Sequence, residues 1–296
     1  MRFACLCLGF LLFLPAVQAQ SANPVSSGTA TGASAASSNS TTSAPAPAFP
    51  PPGMTTQPPP WTPQPVRDAQ AVQIVQAAIN ALGGAQAIGQ VQSCIVQTQV
   101  SANAGLPGGQ GTWTVSGSEF RSDFPYTQGT ATVATGHGHP FSTLNGTTTA
   151  LPISVAQAWF VPFLASSVLL NEFQTQTYSL QYKGTGTVGT EAVSIVRISS
   201  QATWLGSVVA VQNWYFDGST GLPIQVDYRL PDVRYPTRHT VARVNLSAYQ
   251  PVSGVLYPFQ ASKSIGKHTM SYTVSAVQPN ANVASSQFDA PAGGAQ

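Results

Sequence analysis

Alternation of apolar and polar positions is sharpest from Val208 to Arg229, VVAVQNWYFDGSTGLPIQVDYR. Leu222, Ile224, Val226 and Tyr228 fall on one face of an extended chain, with Pro223, Gln225, Asp227 and Arg229 on the other. That is the period of a strand with one buried side. Ahead of the turn, Val209, Val211 and Tyr215 share a face opposed by Ala210, Gln212, Trp214 and Phe216. Asp217-Gly218-Ser219-Thr220-Gly221 joins the two runs, with glycines for positive φ and an aspartate able to bond the turn backbone, which predicts a hairpin.

Upstream the period changes. Val72, Val75, Ala78, Ile79 and Leu82 recur at helical spacing, with Asp68 in place to cap and Gly83-Gly84 to stop, so Asp68–Leu82 is predicted to be an amphipathic helix. A short second helical turn is expected over Ala85–Gln90. From Val91 the pattern is mostly β: Ile95–Val100, a glycine-rich turn at Gly105–Gly111, then Thr112–Ser118, Glu119–Phe124 and Thr130–Ala134, an antiparallel meander. Ser154–Phe173 interrupts it with an apolar run that lacks glycine, predicting two helical pieces broken at Pro162. Trp159, Phe160, Phe163, Leu164 and Leu169 cover more than one face of those pieces, so the helices must be buried on several sides or cover something greasy. Strands resume at Thr177–Lys183, Ala192–Ser199, the central hairpin, Thr240–Tyr249, Gly254–Ser264 and Lys267–Val277, with a tight turn at Ser264–Lys267. One domain from Arg67 to Pro291 is expected: an α+β fold, a curved antiparallel sheet with a few helices packed on it.

The ends read differently. Arg2, the apolar run Phe3–Leu14 and Val17-Gln18-Ala19 have the form of a secretory signal cleaved after Ala19. Ser21–Pro65 is rich in Ser, Thr, Ala and Pro and too poor in apolar residues to order itself, so a disordered tether is expected there. Pro291–Gln296 should fray. Cleavage would remove Cys5 and Cys7 and leave Cys94, so the mature chain could form no internal disulfide and would need a core that holds without one. Cys94 itself reads as a small buried hydrophobe.

Charged residues are only 7% of the chain and the net charge is +2. That is too little for an electrostatic footprint on nucleic acid. No transmembrane segment is expected in the mature chain. His137-Gly138-His139 could bring two imidazoles to one face, with His239, His268 or Glu119 as further ligands, or could be a plain glycine-flanked loop before Pro140. The loop is the favoured reading, and no metal or cofactor is expected. There is no Gly-x-Ser-x-Gly elbow, phosphate loop or dinucleotide fingerprint, and the carboxylates are scattered without a pair, which argues against an enzyme. Arg229, Arg234, Arg238 and Arg243 with Asp227 and Asp232 could meet an anionic headgroup, but read first as a solvated, partly self-paired cluster.

Several short motifs carry a family likeness. They are ALGG at Ala81–Gly84, Tyr215-Phe216-Asp217 with Thr220-Gly221-Leu222-Pro223, YQPVSGVLYPFQ at Tyr249–Gln260 and NANVASSQFDAP at Asn280–Pro291. Together they resemble the periplasmic lipoprotein-carrier half-barrel superfamily. The resemblance implies an incomplete antiparallel barrel wrapped over helices, leaving an apolar cavity for acyl chains. The Ser154–Phe173 helices would be its lid or plug, with Trp159, Phe160, Phe163, Leu164, Leu169, Trp214 and Tyr228 lining cavity or lid. It implies a periplasmic or exported, non-enzymatic binder of lipid or lipoprotein acyl chains, with envelope proteins as possible partners. The long Ser/Pro-rich arm departs from the compact carriers and suits a tethered relative. The rival reading is an exported structural or adhesive β-rich module with no small-molecule ligand.

Overall fold

Residues 65–102, 108–126, 129–151, 164–200, 211–231 and 239–291 are described here from a computed structural model. The signal-like segment ending at Ala19, Cys5 and Cys7, the Ser21–Pro65 arm up to residue 64, and the tail from residue 292 lie outside them. So do Arg234, Arg238, Asp232 and the Val208–Ala210 start of the central hairpin.

Helix α1 (Ala69–Ala81) buries Ala71, Val75, Ala78 and Ile79, the stripe its spacing dictates. Asp68 holds the N-cap position but makes no side-chain cap. Its carboxylate instead accepts the Tyr182 N–H at 2.9 Å, a correction that turns an expected local cap into a long-range contact. Gly83 ends the helix at φ 124, and α2 (Gly84–Gly89) follows. The later apolar run supplies α3 (Ala165–Gln174); Pro162 and the predicted break there lie outside the described residues.

The remaining elements are strands. The first group is β1 (Ser93–Ala102), β2 (Gly109–Ser116), β3 (Glu119–Tyr126), β4 (Gly129–Ala134), β5 (Phe141–Leu144) and β6 (Thr147–Ala150). The second is β7 (Tyr178–Val188), β8 (Glu191–Ser200), β9 (Val211–Asp217), β10 (Pro223–Pro231), β11 (His239–Val252), β12 (Val255–Ile265) and β13 (His268–Pro279). Each group is a meander of antiparallel neighbours, and pairing of β1 with β13 fuses them into one 13-stranded sheet, ordered 6-5-4-3-2-1-13-12-11-10-9-8-7. Strands β6 and β7 are its two edges, and the connection between them holds α3. The sheet is open. With thirteen strands and three short α-helices among the described residues, the antiparallel sheet carries a few helices as expected, but the fold is mostly β, with a smaller helical share than the α+β expectation.

An open edge invites pairing with other chains. At β7 it is partly occupied from within: Arg67 bridges Leu180 in parallel, Leu180 N–H donates to Val66 O at 2.7 Å and Asp68 N–H to Leu180 O at 2.9 Å. Hairpin β5–β6 was not anticipated. Its turn is Asn145-Gly146, both at positive φ (50° and 79°), the sequence pair that two-residue hairpins favour. Strand β7 also outruns its prediction, because Gly184 and Gly186 lie inside it rather than ending it.

Candidate functional site

Register sorts the strands' side chains onto two faces. From the β7 edge inward, Leu180 lies opposite Ile198, Val196 opposite Trp214, Trp214 opposite Val226 and Val226 opposite Val244. The row continues through Lys263 to Met270. One step along the strands, Ala261 faces Tyr272, Tyr272 faces Val100, and the surface runs on to Val96, Trp113, Ser122 and Val133. This inner face is apolar almost throughout, and most of its side chains are buried. Trp113 packs edge-on against both Phe124 and Tyr272, at 5.1 and 5.4 Å between ring centroids. Such offset aromatic contacts fix ring orientation as well as burying area.

The helices lie on this face, α1 against β7 and β8, α2 and α3 against β12. Helix α3 is tied to the sheet by a buried polar chain: Trp214 Nε1 donates to Gln212 Oε1 at 2.9 Å, and Gln212 Nε2 donates to Glu172 Oε1 at 2.9 Å. Desolvation pushes the Glu172 carboxyl up to about 8, against the smaller opposing effect of the Gln212 hydrogen bond. At neutral pH that carboxyl is mostly protonated. Arg67 serves the same helix from outside. Its guanidinium donates to Phe173 O at 2.6 Å and Tyr178 O at 3.4 Å and sits 5.4 Å from the Phe173 ring centroid. A cation at a helix C-terminus satisfies carbonyls that have no partner within the helix. Sequence reasoning missed Arg67, Glu172 and Gln212, since their partners are more than a hundred or about forty residues away in the chain.

Lys263 is also buried within the inner-face register, 3% exposed, between Val244 and Met270. Its ammonium lies 5.7 Å from the centroid of the Tyr228 ring, within cation–π range. Burial draws its pKa down to about 7 and pushes the Tyr228 and Tyr272 phenols up.

The outer face carries the charge. Asp227 accepts both arms of the Arg243 guanidinium at 2.9 Å each, Gln225 Nε2 at 3.1 Å and the Tyr215 hydroxyl at 3.2 Å. The arginine cluster is thus partly self-paired there. In the hairpin turn Asp217 Oδ1 takes the hydroxyls and N–H groups of Ser219 and Thr220. These donors, the two hydroxyls foremost, hold its carboxyl down near about 2.

His137 lies in a 3-10 turn, Gly136–Gly138, on the outside of β3 and β4. Its Nε2 is 3.1 Å from Asp289 Oδ1, and its backbone N–H donates to Glu119 at 3.0 Å. Beside it the Arg121 guanidinium donates to Gln287 O at 3.0 Å, and Phe288 is buried. These contacts fasten the C-terminal 3-10 turn, Ser285–Phe288, to the sheet. No group of three potential metal ligands is assembled among the described residues. Cys94 is buried, and desolvation lifts its thiol to about 12, so it is an inert core residue.

Of the residues expected to line a cavity or lid, Trp214 and Tyr228 are fully buried on the inner face of β9 and β10. Leu164 and Leu169 are buried at the start and within α3. Trp159, Phe160 and Phe163 lie outside the described residues. No described helix is long and apolar enough to cross a membrane, which says nothing of strands.

No protein-family model and no curated protein matches this chain. Among solved structures it is similar to a LolA superfamily protein from Nitrosomonas europaea, 10% identical over 74% of this chain and 97% of that one, at a TM-score of 0.48. A DUF1329 family protein from Desulfovibrio piger is 12% identical over 73% of this chain and 97% of that one, at 0.42. Lipoprotein LppX of Mycobacterium tuberculosis is 12% identical over 73% and 100%, at 0.29. Strand order and register, rather than these likenesses, define the fold.

Proposed function

We propose that this protein is an exported, non-enzymatic binder or carrier of lipid or lipoprotein acyl chains, held against the inner face of its sheet. The observation that supports the reading is the sorting of side chains. A surface that is apolar apart from Lys263 and Ser122 runs in register from Leu180 to Val133 on a sheet that does not close on itself, while Arg121, Arg197, Arg243 and most carboxylates face outward. A surface that wide and greasy binds chains by shape and burial, at roughly 25 cal/mol for each Å² removed from water. The apolar segment with Trp159, Phe160, Phe163, Leu164 and Leu169 is the lid of that surface in this reading, and the Ser/Pro-rich arm is a tether in the periplasm or beyond.

Native mass spectrometry of the protein purified from a bacterial envelope extract is expected to find co-purifying lipid. Phe163→Ala is expected to lower lipid uptake per folded molecule. A protein that is always empty and takes up no hydrophobic dye would sink the reading. A variant that melts lower with unchanged uptake per folded molecule would reduce those side chains to plain core.

A further inference from the structure

The arginines of the outer face are not equivalent. Arg121 pairs with Asp123, Arg243 pairs with Asp227, and Arg197 donates to Asn213. Arg229 on β10 is exposed and forms no hydrogen bond or ion pair among the described residues. It lies opposite Val241 of β11. On its other side Gln212 of β9 lies opposite Tyr228, so Val211, one residue earlier, comes beside Arg229 on the outer face. Val211 and Val241 are 36% and 52% exposed, and with Val66 they are the exposed large apolar side chains among the described residues. Single exposed apolar residues are ordinary, but two that bracket an unpaired arginine in one row across three strands form a patch. The row lies at one end of the strands, where Ala242 pairs with Ile265 and the β12–β13 turn brings exposed Lys267 alongside. On β9 to β13 the described carboxylates are Asp217, in the hairpin turn at the opposite end, and Asp227, which Arg243 holds with both arms.

We infer that this end of the outer face, with Val211, Arg229, Val241 and Lys267, docks on the surface of a bilayer that carries anionic headgroups. A guanidinium presents a planar fork of donors that matches a phosphate, and a lysine adds a compact charge beside it. A bilayer boundary offers both chemistries in one plane, phosphate outermost and hydrocarbon beneath. That order suits an arginine set between two apolar side chains, which enter the boundary while its stem lies along them. Each basic residue near an anionic leaflet adds attraction, and the buried apolar area adds to it. Two valines and two cations are a small footprint, so the contact is reversible and sensitive to salt. Because the patch is on the opposite side of the sheet from the proposed acyl-binding face, the inference does not depend on that function. It gives the protein a way to sit on a membrane without a spanning segment.

The test is co-sedimentation of the full chain with vesicles of phosphatidylcholine alone and of phosphatidylcholine mixed with phosphatidylglycerol. The wild type is expected to bind the mixed vesicles, to bind the neutral ones little, and to be released by added salt. Arg229→Gln should weaken binding to the mixed vesicles roughly fivefold, the worth of one basic residue at an anionic surface. Val211→Ser combined with Val241→Ser should weaken it as well while leaving the melting temperature unchanged, since both side chains are exposed. Lys183→Gln removes the same charge from β7, two strands from Val211, and should matter less than Arg229→Gln. No binding to either vesicle, equal binding to both, full affinity in the serine pair, or equal losses for Lys183→Gln and Arg229→Gln each overturn the docking surface. Lipid that co-purifies with the protein would stand in every one of those cases, so the two readings fail separately.

Discussion

Gln212 donates a 2.9 Å hydrogen bond to Glu172, joining β9 to α3 across a buried gap between residues forty positions apart. The carboxyl at its end has an ordinary value of 4.5 and is raised by burial to about 8. The folded protein therefore holds a proton that the unfolded chain releases. Stability is full below about 4.5 and falls as pH rises towards about 8. Melting temperature should drop by roughly 5 °C or more across that window, since about 1 kcal/mol moves a domain of this size by ~2–4 °C. Glu172→Gln keeps the acceptor and should flatten that part of the profile. An unaltered slope in the variant would assign the effect to other groups.

Lys263 tilts the profile the other way. Its pKa is lowered from 10.5 to about 7, so between those values the unfolded chain binds the proton that the folded one has shed. Stability should rise with pH over that range, and Lys263→Met should remove the rise while lifting the melt near neutrality. Chemical denaturation at pH 7 and pH 9 is the measurement.

Gly83 and Gly84 offer a matched pair of backbone tests. A Cβ at Gly83 would run into the carbonyl oxygen of Gly254, where α1 meets β12 and the Leu256 N–H donates to Leu82 O at 2.8 Å. A Cβ at Gly84 meets nothing, although φ is 86°. Gly84→Ala should cost about 1–2 kcal/mol from left-handed backbone strain alone. Gly83→Ala should cost clearly more, and equal melting temperatures for the two would refute the close approach.

On the outer face Asp227 and Arg243 are unequal partners, since the arginine side chain is 52% exposed and the aspartate 10%. Arg243→Ala should change stability by about 0–1 kcal/mol, as exposed pairs do. Asp227→Ala strands the donors of Arg243, Gln225 and Tyr215 together and should cost roughly 1–3 kcal/mol. A double-mutant cycle would separate the pair from the rest of the cluster.

Period alone was enough to place α1, most strands and the faces of the central hairpin over Gln212–Tyr215 and Gln225–Tyr228, whereas a bulge sets Pro223 opposite Phe216. Trp214 and Gln212 lie against Val226 and Tyr228, and Tyr215 lies with Asp227, as alternation requires. Those patterns are local: a side chain's face is settled by its neighbours two or four positions away. Where a local signal had two meanings, sequence reasoning chose the commoner one. The strand expected over Thr177–Lys183 runs on through Gly184 and Gly186 to Val188, and the turn pair Asn145-Gly146 had no hairpin assigned to it.

What no window of sequence could carry is the joining of the two meanders through β1 and β13, residues some 180 positions apart. That single pairing makes one open sheet of two smaller ones and gives it a common inner face. It also turns residues of no evident role into parts of a site. Glu172 and Lys263 look like ordinary surface charges in the sequence, and Asp68 like a helix cap. Their burial and partners come from strands and helices brought alongside only when the sheet is assembled, because desolvation depends on everything packed around a group and not on its place in the chain.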